Sequence, residues 1–416
     1  MDIKELHIFA LASHGNGISG GDRIWIELTR RWSKKFPITV HTWKEGKEMG
    51  ERQNLNEQKT KSKKQGKLEF KIYDFRFVCN LGFVICYLAR IVKGIQIGLT
   101  LQFNNDNSTY LYNASEFWMD AFPCILLKMR YPKINWIATW YQTAPNPFKG
   151  YVEQKTENKE QRTREKKYFA KALVYWLTQL PVKPLIKKYA DKVIVNNESE
   201  RKQFPNNKTI VLIGAVPLDG IKKYDLRFKN KEKKWDAVFQ GRFHPQKGVV
   251  ELITIWKKVV QLKPNAKLAM IGNGPLMDEV VRAIKKEKLD ENVKLFGFVF
   301  DGDEKYKIFS ESKMVLHPAF YDSGGMATAE AMAFGIPAVG FNLKAYDSYY
   351  PKGMIKVKDE KEFAQTIVML LDDAKRREKI GKEARDLIEK NYSWEYRADE
   401  ILNKIREEAD AGSSPA

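Results

Sequence analysis

Residues 314–337 constrain this chain more than any other segment. Residues 314–316 are apolar and strand-like, a loop follows, and residues 327–334 read as a short helix. Gly335 stops that helix and Pro337 prevents its resumption. A buried strand running through a glycine pair into a helix is half of a βαβ unit, and repeated units of that kind demand a parallel sheet covered by helices on both faces. The loop also carries chemistry. Asp322 precedes Ser323, Gly324, Gly325 and Met326, and seven residues separate Asp322 from Glu330. The glycines allow close approach of a ligand to the backbone. The first N–H groups of the helix and its dipole would hold an anion. The two carboxylates would accept hydroxyls beside it, a combination that suits a sugar nucleotide.

The same alternation recurs along the chain. Residues 6–11, 38–43, 110–113, 135–140 and 192–196 read as strands, with helical patterns at 22–34 and 117–129. Residues 44–71 are polar and charged and read as a mobile surface insertion. The pattern restarts near residue 235, with strands at 237–240, 268–271, 293–299 and 314–316, each followed by a helical stretch. A length of 416 residues exceeds one ordinary core. The expectation is an α/β chain of two doubly wound Rossmann-like domains facing a cleft, residues 1–218 and 219–392, with a final amphipathic helix at 393–410.

Lys and Arg number 72 against 52 Asp and Glu, a formal charge of +20. That excess suits nucleic acid, an anionic membrane surface or phosphorylated small molecules. No helix-turn-helix, RNP or zinc pattern supports nucleic acid. Cys79, Cys86 and Cys124 show neither metal-ligand spacing nor a disulfide framework, so reduced thiols and a cytoplasmic location are expected. No apolar run reaches the roughly 20 residues of a membrane span.

Three further glycine-rich loops follow strands. Residues 241–248 contain Arg242, which suits a bidentate grip on phosphate, and Lys247, which adds a point charge. Gly272 and Gly274 occupy the corresponding place after the next strand. Residues 15–20 match a dinucleotide fingerprint by letter, but the strand ending His41-Thr42-Trp43 lacks its acidic partner, so Gly20 and Gly21 read as a phosphate or sugar contact. Asp301-Gly302-Asp303 has the look of a metal-binding DxD, yet its place before a helix favours capping. His14 could orient an acceptor hydroxyl.

Together, residues 241–248, 272–275, 296–298 and 322–335 resemble glycosyltransferase family 4, retaining enzymes of the GT-B fold. The resemblance implies that Arg242 and Lys247 bind the donor diphosphate, that Glu330 binds the nucleotide ribose, and that Asp322 holds a donor-sugar hydroxyl beside the 323–326 amides. It implies that Gly20 and Gly21 close over the donor and that the last helix crosses back to the first domain. It implies metal-independent, front-face transfer without a cofactor, from a nucleotide sugar to a hydroxyl acceptor. Two departures stand out. Asp322 replaces the usual Glu, and Trp140-Tyr141-Gln142 stands where many members carry a His. Tyr141, Gln142 and Asp120 are the candidates near the acceptor.

The stretches 81–103 and 168–188 are apolar and aromatic with flanking cations. They read either as buried core helices or as a membrane-interface surface. In the second reading Phe169, Tyr175 and Trp176 lie at headgroup depth, and Lys183, Lys187 and Lys188 lie near anionic lipid. The expected enzyme then sits peripherally on the cytoplasmic membrane face and extends a lipid-linked glycan or phospholipid. The alternative is a basic nucleic-acid- or membrane-binding pseudoenzyme on the same scaffold.

Overall fold

The computed structural model describes residues 3–13, 19–53, 55, 68–73, 83–144, 146–148, 159–227, 232–322 and 324–411. They fall into two compact units. The first comprises Met1–Ala144, Leu173–Leu212 and Glu395–Ala416, the second Pro145–Ala172 and Ile213–Trp394.

The chain opens β1 (Glu5–Ala10), α1 (Gly20–Trp32), β2 (Ile38–Trp43), α2 (Lys44–Arg52), β3 (Leu68–Tyr73), α3 (Phe83–Thr100), β4 (Thr109–Asn113) and α4 (Trp118–Arg130). It continues through β5 (Asn135–Trp140), α5 (Lys159–Tyr189), β6 (Lys192–Val195), α6 (Glu198–Arg201) and β7 (Thr209–Val211). The strands form one parallel sheet of seven in the order β3-β2-β1-β4-β5-β6-β7. Ser19 caps α1 through a reciprocal capping box with Asp22.

Residues 44–71 do not behave as an insertion throughout. α2 follows β2 directly, because Met49 is buried and Gly46 and Gly50 let the helix lie close against Thr42 and Leu55. β3 adds an edge strand along β2, with Ile38 opposite Leu68 and Trp43 opposite Tyr73. Residues 56–67 lie outside the described residues. Cys86 in α3 is disulfide-bonded, which corrects the expectation of reduced thiols throughout. Bridging depends on where the chain path puts two sulfurs, which composition does not record. Cys124 is a buried free thiol.

After α7 (Leu218–Arg227), the second unit runs β8 (Ala237–Gln240), α8 (Val249–Leu262), β9 (Leu268–Ile271), α9 (Met277–Lys286), β10 (Val293–Gly297) and α10 (Asp303–Ser310). Then come β11 (Val315–His317), α11 (Met326–Met332), β12 (Ala338–Phe341), α12 (Ala345–Tyr349), β13 (Met354–Val357), α13 (Glu360–Asp372) and α14 (Ala374–Asn391). Its parallel sheet has the order β10-β9-β8-β11-β12-β13. Both faces are covered. Ala237 and Phe239 pack into one buried cluster while Val238 packs into the other, as the alternation of side chains along a strand requires. β12 and β13 lie outside the strands read from the sequence, although they are as long as β8 and β9.

The last helix, α15 (Trp394–Ala411), packs within the first unit. The Trp32 indole donates to the Ala398 carbonyl at 3.0 Å, Lys35 pairs with Asp399 at 2.7 Å, and Arg31 pairs with Glu395. The expected return of the C-terminal helix to the first domain is observed.

Strand order reverses between β1 and β4 in the first sheet and between β8 and β11 in the second. Ligands of doubly wound sheets bind at the carboxyl ends of the strands at such reversals.

Candidate functional site

In the second unit the reversal is framed by three loops laced by their own backbones. Phe243 N–H donates to Asn273 O at 2.9 Å, and Phe320 N–H donates to Gln246 O at 2.9 Å. Two glycines permit this. Gly272 has φ 145° and a Cβ there would lie 1.9 Å from the Gly241 carbonyl. Gly248 has φ 61° and a Cβ there would lie 2.0 Å from the Pro318 carbonyl. Neither position accepts a side chain without moving the loop. Arg242 stands exposed at the start of its loop, and Lys247 is half-buried at its end.

Lys247 turns to Asp322, Nζ to Oδ2 at 2.5 Å. His317, at the end of β11, places Nε2 at 2.8 Å from the same oxygen, and the Gly324 N–H reaches Oδ1 at 3.3 Å. Burial pushes the Asp322 carboxyl up, but the Lys247 cation and the His317 hydrogen bond outweigh it and hold the group well below the usual carboxylate range. Burial lowers the His317 ring, despite Asp322. A neutral ring facing a carboxylate donates from Nε2, which leaves Nδ1 as an acceptor. That Nδ1 is buried with no hydrogen-bond partner.

The glycine pair after Asp322 serves the protein itself. Tyr350 donates its hydroxyl to the Gly324 and Gly325 carbonyls at 2.8 Å each, and a Cβ on Gly324 would lie 2.5 Å from the Tyr349 ring. Gly325 takes φ 59° and opens α11 at Met326. Because α11 has seven residues, its dipole is smaller than the sequence suggests.

Glu330 does not join Asp322. It is 3% exposed and pairs with Lys305 of α10, Nζ to Oε2 at 2.5 Å. Lys305 also pairs with Asp301. Asp301-Gly302-Asp303 therefore does not act through side-chain capping: Gly302 is the N-cap, no side chain bonds there, and Asp301 is turned to Lys305. Among the described residues, no three His, Cys, Asp or Glu side chains gather as a metal site would require.

In the first unit, Asp120 lies fully buried between the ends of β1 and β4. It accepts from Leu11 N–H at 2.6 Å, Ala12 N–H at 2.9 Å and Ser115 Oγ–H at 2.5 Å. Burial dominates and pushes its carboxyl up to about 8. Glu116, raised by burial, accepts from the Tyr175 hydroxyl at 2.8 Å and from Gln179 at 3.3 Å. The Tyr141 and Tyr112 hydroxyls lie 2.6 Å apart. The Tyr141 ring lies 3.4 Å from where a Gly21 Cβ would stand. The Gln142 carbonyl accepts from Gln179 at 2.7 Å, while its side-chain Nε2 is buried and unpartnered. Gly20 has open space around its Cα.

His14 and Ser323 lie outside the described residues. Sequence reasoning missed Arg90, which is buried, stacks over Trp43 at 5.0 Å and reaches the Leu11 carbonyl at 3.4 Å. An Arg inside an otherwise apolar helix was the available signal. It also missed Lys305, Tyr349 and Tyr350.

Residues 222–387 match the model of the glycosyl transferases group 1 family. A poly(ribitol-phosphate) α-N-acetylglucosaminyltransferase of Staphylococcus aureus is 26% identical over 52% of this chain and 46% of its own length. A GDP-mannose-dependent monoacylated α-(1-6)-phosphatidylinositol monomannoside mannosyltransferase of Corynebacterium glutamicum is 25% identical over 40% and 46%. The chain spans about half the length of the curated relatives it matches. The structure of Anabaena HepE in complex with UDP and glucose aligns at a TM-score of 0.65 and 13% identity, over 97% of this chain and 100% of that one, and the likeness shows the GT-B fold. The family's loops are set at the strand reversal of the second sheet, and it is this part of the chain, residues 222–387, that is similar to the group 1 glycosyl transferases.

Proposed function

We propose that the chain is a retaining glycosyltransferase that moves a sugar from a nucleoside-diphosphate donor to a hydroxyl acceptor. One observation carries the reading: Lys247, Asp322 and His317 meet where β8 and β11 diverge, the place at which a doubly wound sheet binds ligands. Lys247 and Arg242 meet the diphosphate as it departs with growing charge, which stabilises the transition state more than the ground state. A phosphate competes with Asp322 for Lys247. Once released, the carboxylate takes a hydroxyl of the donor sugar. Glu330 accepts from the ribose, and the departing phosphate receives the acceptor's proton. The first unit serves the acceptor with Tyr141 and Gln142 after β5, while Gly20 and Gly21 at the start of α1 meet the donor.

The test is thermal stabilisation by nucleotides. UDP or GDP should raise the melting temperature, and Arg242→Ala together with Lys247→Ala should remove the shift. A protein indifferent to both nucleotides that binds oligonucleotides with a steep salt slope would instead be the nucleic-acid-binding pseudoenzyme.

The acceptor in this reading is a lipid-linked glycan or phospholipid at an anionic membrane surface. In support, α3 exposes Ile85, Leu88, Val92 and Leu99 along one stripe, and α5 exposes Val174, Leu177 and Leu180. Lys187 and Lys188 are exposed near the end of α5. Tyr175 is not part of that surface, since its hydroxyl is turned inward to Glu116. The matched relatives from S. aureus and C. glutamicum are named for phosphate-bearing acceptors. No helix among the described residues is long and apolar enough to cross a membrane, so attachment is peripheral in this reading. Flotation with anionic vesicles at low salt checks it: absence of the protein from the vesicle fraction removes the membrane from the proposal.

A further inference from the structure

Lys305 is fully buried on α10. Its ammonium lies 2.5 Å from Glu330 on α11 and also pairs with Asp301 in the loop after β10. The Tyr306 and Phe309 rings stand 6.0 and 5.9 Å from it. A buried ammonium is costly unless it is well paired, and an apolar side chain would fill the same space without that cost. Packing alone therefore does not account for a lysine here. The ion pair does something packing cannot. It takes a long acid with three rotatable bonds and fixes one of its oxygens before any ligand arrives.

The geometry points to Lys305 as a positioning residue for Glu330. It holds the carboxylate in the orientation that accepts the vicinal hydroxyls of a pentose, and Asp301 steadies Lys305 from the other side. This deepens the assignment of Glu330 to the nucleotide ribose and rests on it. The three members come from three separate elements, so the loop after β10, α10 and α11 are tied together at one point.

The experiment is a comparison of UDP with 2′-deoxy-UDP, and of GDP with 2′-deoxy-GDP, by calorimetry on the full chain. Wild type should prefer the ribonucleotide by about tenfold to a hundredfold, the worth of a hydrogen bond to a charged acceptor. Glu330→Gln should lose most of that preference. Lys305→Met should lose a comparable part although Glu330 remains, and Lys305→Met combined with Glu330→Gln should be no worse than Glu330→Gln alone. A Lys305→Met protein with the full wild-type preference would overturn the proposal. So would a double variant that binds UDP and GDP more weakly than Glu330→Gln. If Lys305→Met does not fold, the double variant, which removes an acid along with the cation, decides the matter by that same comparison. A wild-type protein indifferent to the 2′-hydroxyl, or an unaltered preference in Glu330→Gln, defeats the ribose assignment itself and this inference with it.

Discussion

The two strand reversals treat their acids in opposite ways. In the second unit the Asp322 side chain is 8% exposed, yet Lys247 and His317 keep it charged. In the first unit Asp120 has no exposure, its bonded partners are two backbone amides and a serine hydroxyl, and its carboxyl is pushed up to about 8. Glu116 beside it is raised as well, with a tyrosine and a glutamine as partners. Burial is common to both regions. The difference is whether a cation within bonding distance offsets the loss of water. A charged, cation-backed reversal suits a ligand that arrives and leaves as an anion. A neutral one suits the hydroxyls of an acceptor, and makes that region sensitive to pH in the physiological range.

The largest expected break in this contrast comes from Lys247→Ala. It removes the cation that keeps Asp322 charged and that, in the proposed function, meets the leaving phosphate. The kcat/KM for the nucleotide-sugar donor should fall about 100- to 1,000-fold. A fall below tenfold would mean that Asp322 and the diphosphate do not share Lys247.

A middle-sized effect is expected at Asp120. Its folded-state value is raised, so the folded protein holds this proton between pH 4 and about 8 while the unfolded chain has released it. Stability from this group is therefore present at low pH and falls as pH rises through that window, by up to about 1.4 kcal/mol per unit. Asp322 has the opposite sign. Its depressed value contributes stability above the unfolded carboxylate range, and that contribution is lost only in stronger acid. Urea unfolding at several pH values should show a flatter curve between pH 5 and 8 for Asp120→Asn, and an unchanged slope there for Asp322→Asn. Equal slopes for wild type and Asp120→Asn would erase the distinction between the two regions.

The smallest effect is expected from Tyr141→Phe. It deletes one hydroxyl of the buried Tyr112–Tyr141 pair. A cost of about 1 kcal/mol in stability is expected. If Tyr141 also meets the acceptor, the acceptor KM should rise while the donor KM holds; a change in the donor KM alone would move Tyr141 out of the acceptor's region.

Much of the fold was legible because strand–loop–helix units announce themselves locally. The 314–337 segment shows a strand, a glycine pair and a Gly–Pro stop within a few turns of chain. Elements set by packing escaped. α2 is polar over most of its length but buries Met49. Glycine spacing pointed to the loops at Gly248 and Gly272, and the structure shows why no other residue fits. The acid pair was legible as two letters, Asp322 and Glu330, but not as two separate ion-paired groups. Lys305 reads as an ordinary charged residue in its helix, because inward or outward facing is decided by elements far away in sequence.

The order of residues determined by itself which segments become strands and helices, where glycine is obligatory, and that cations, acids and glycines recur after successive strands. These follow from local sterics and the burial of apolar faces, which operate within a few residues. Tertiary structure alone decided which acid is charged, which cation it faces, and which helix the final segment covers. Each of those depends on the distance between atoms brought together by separate strands, and on the water that their approach excludes.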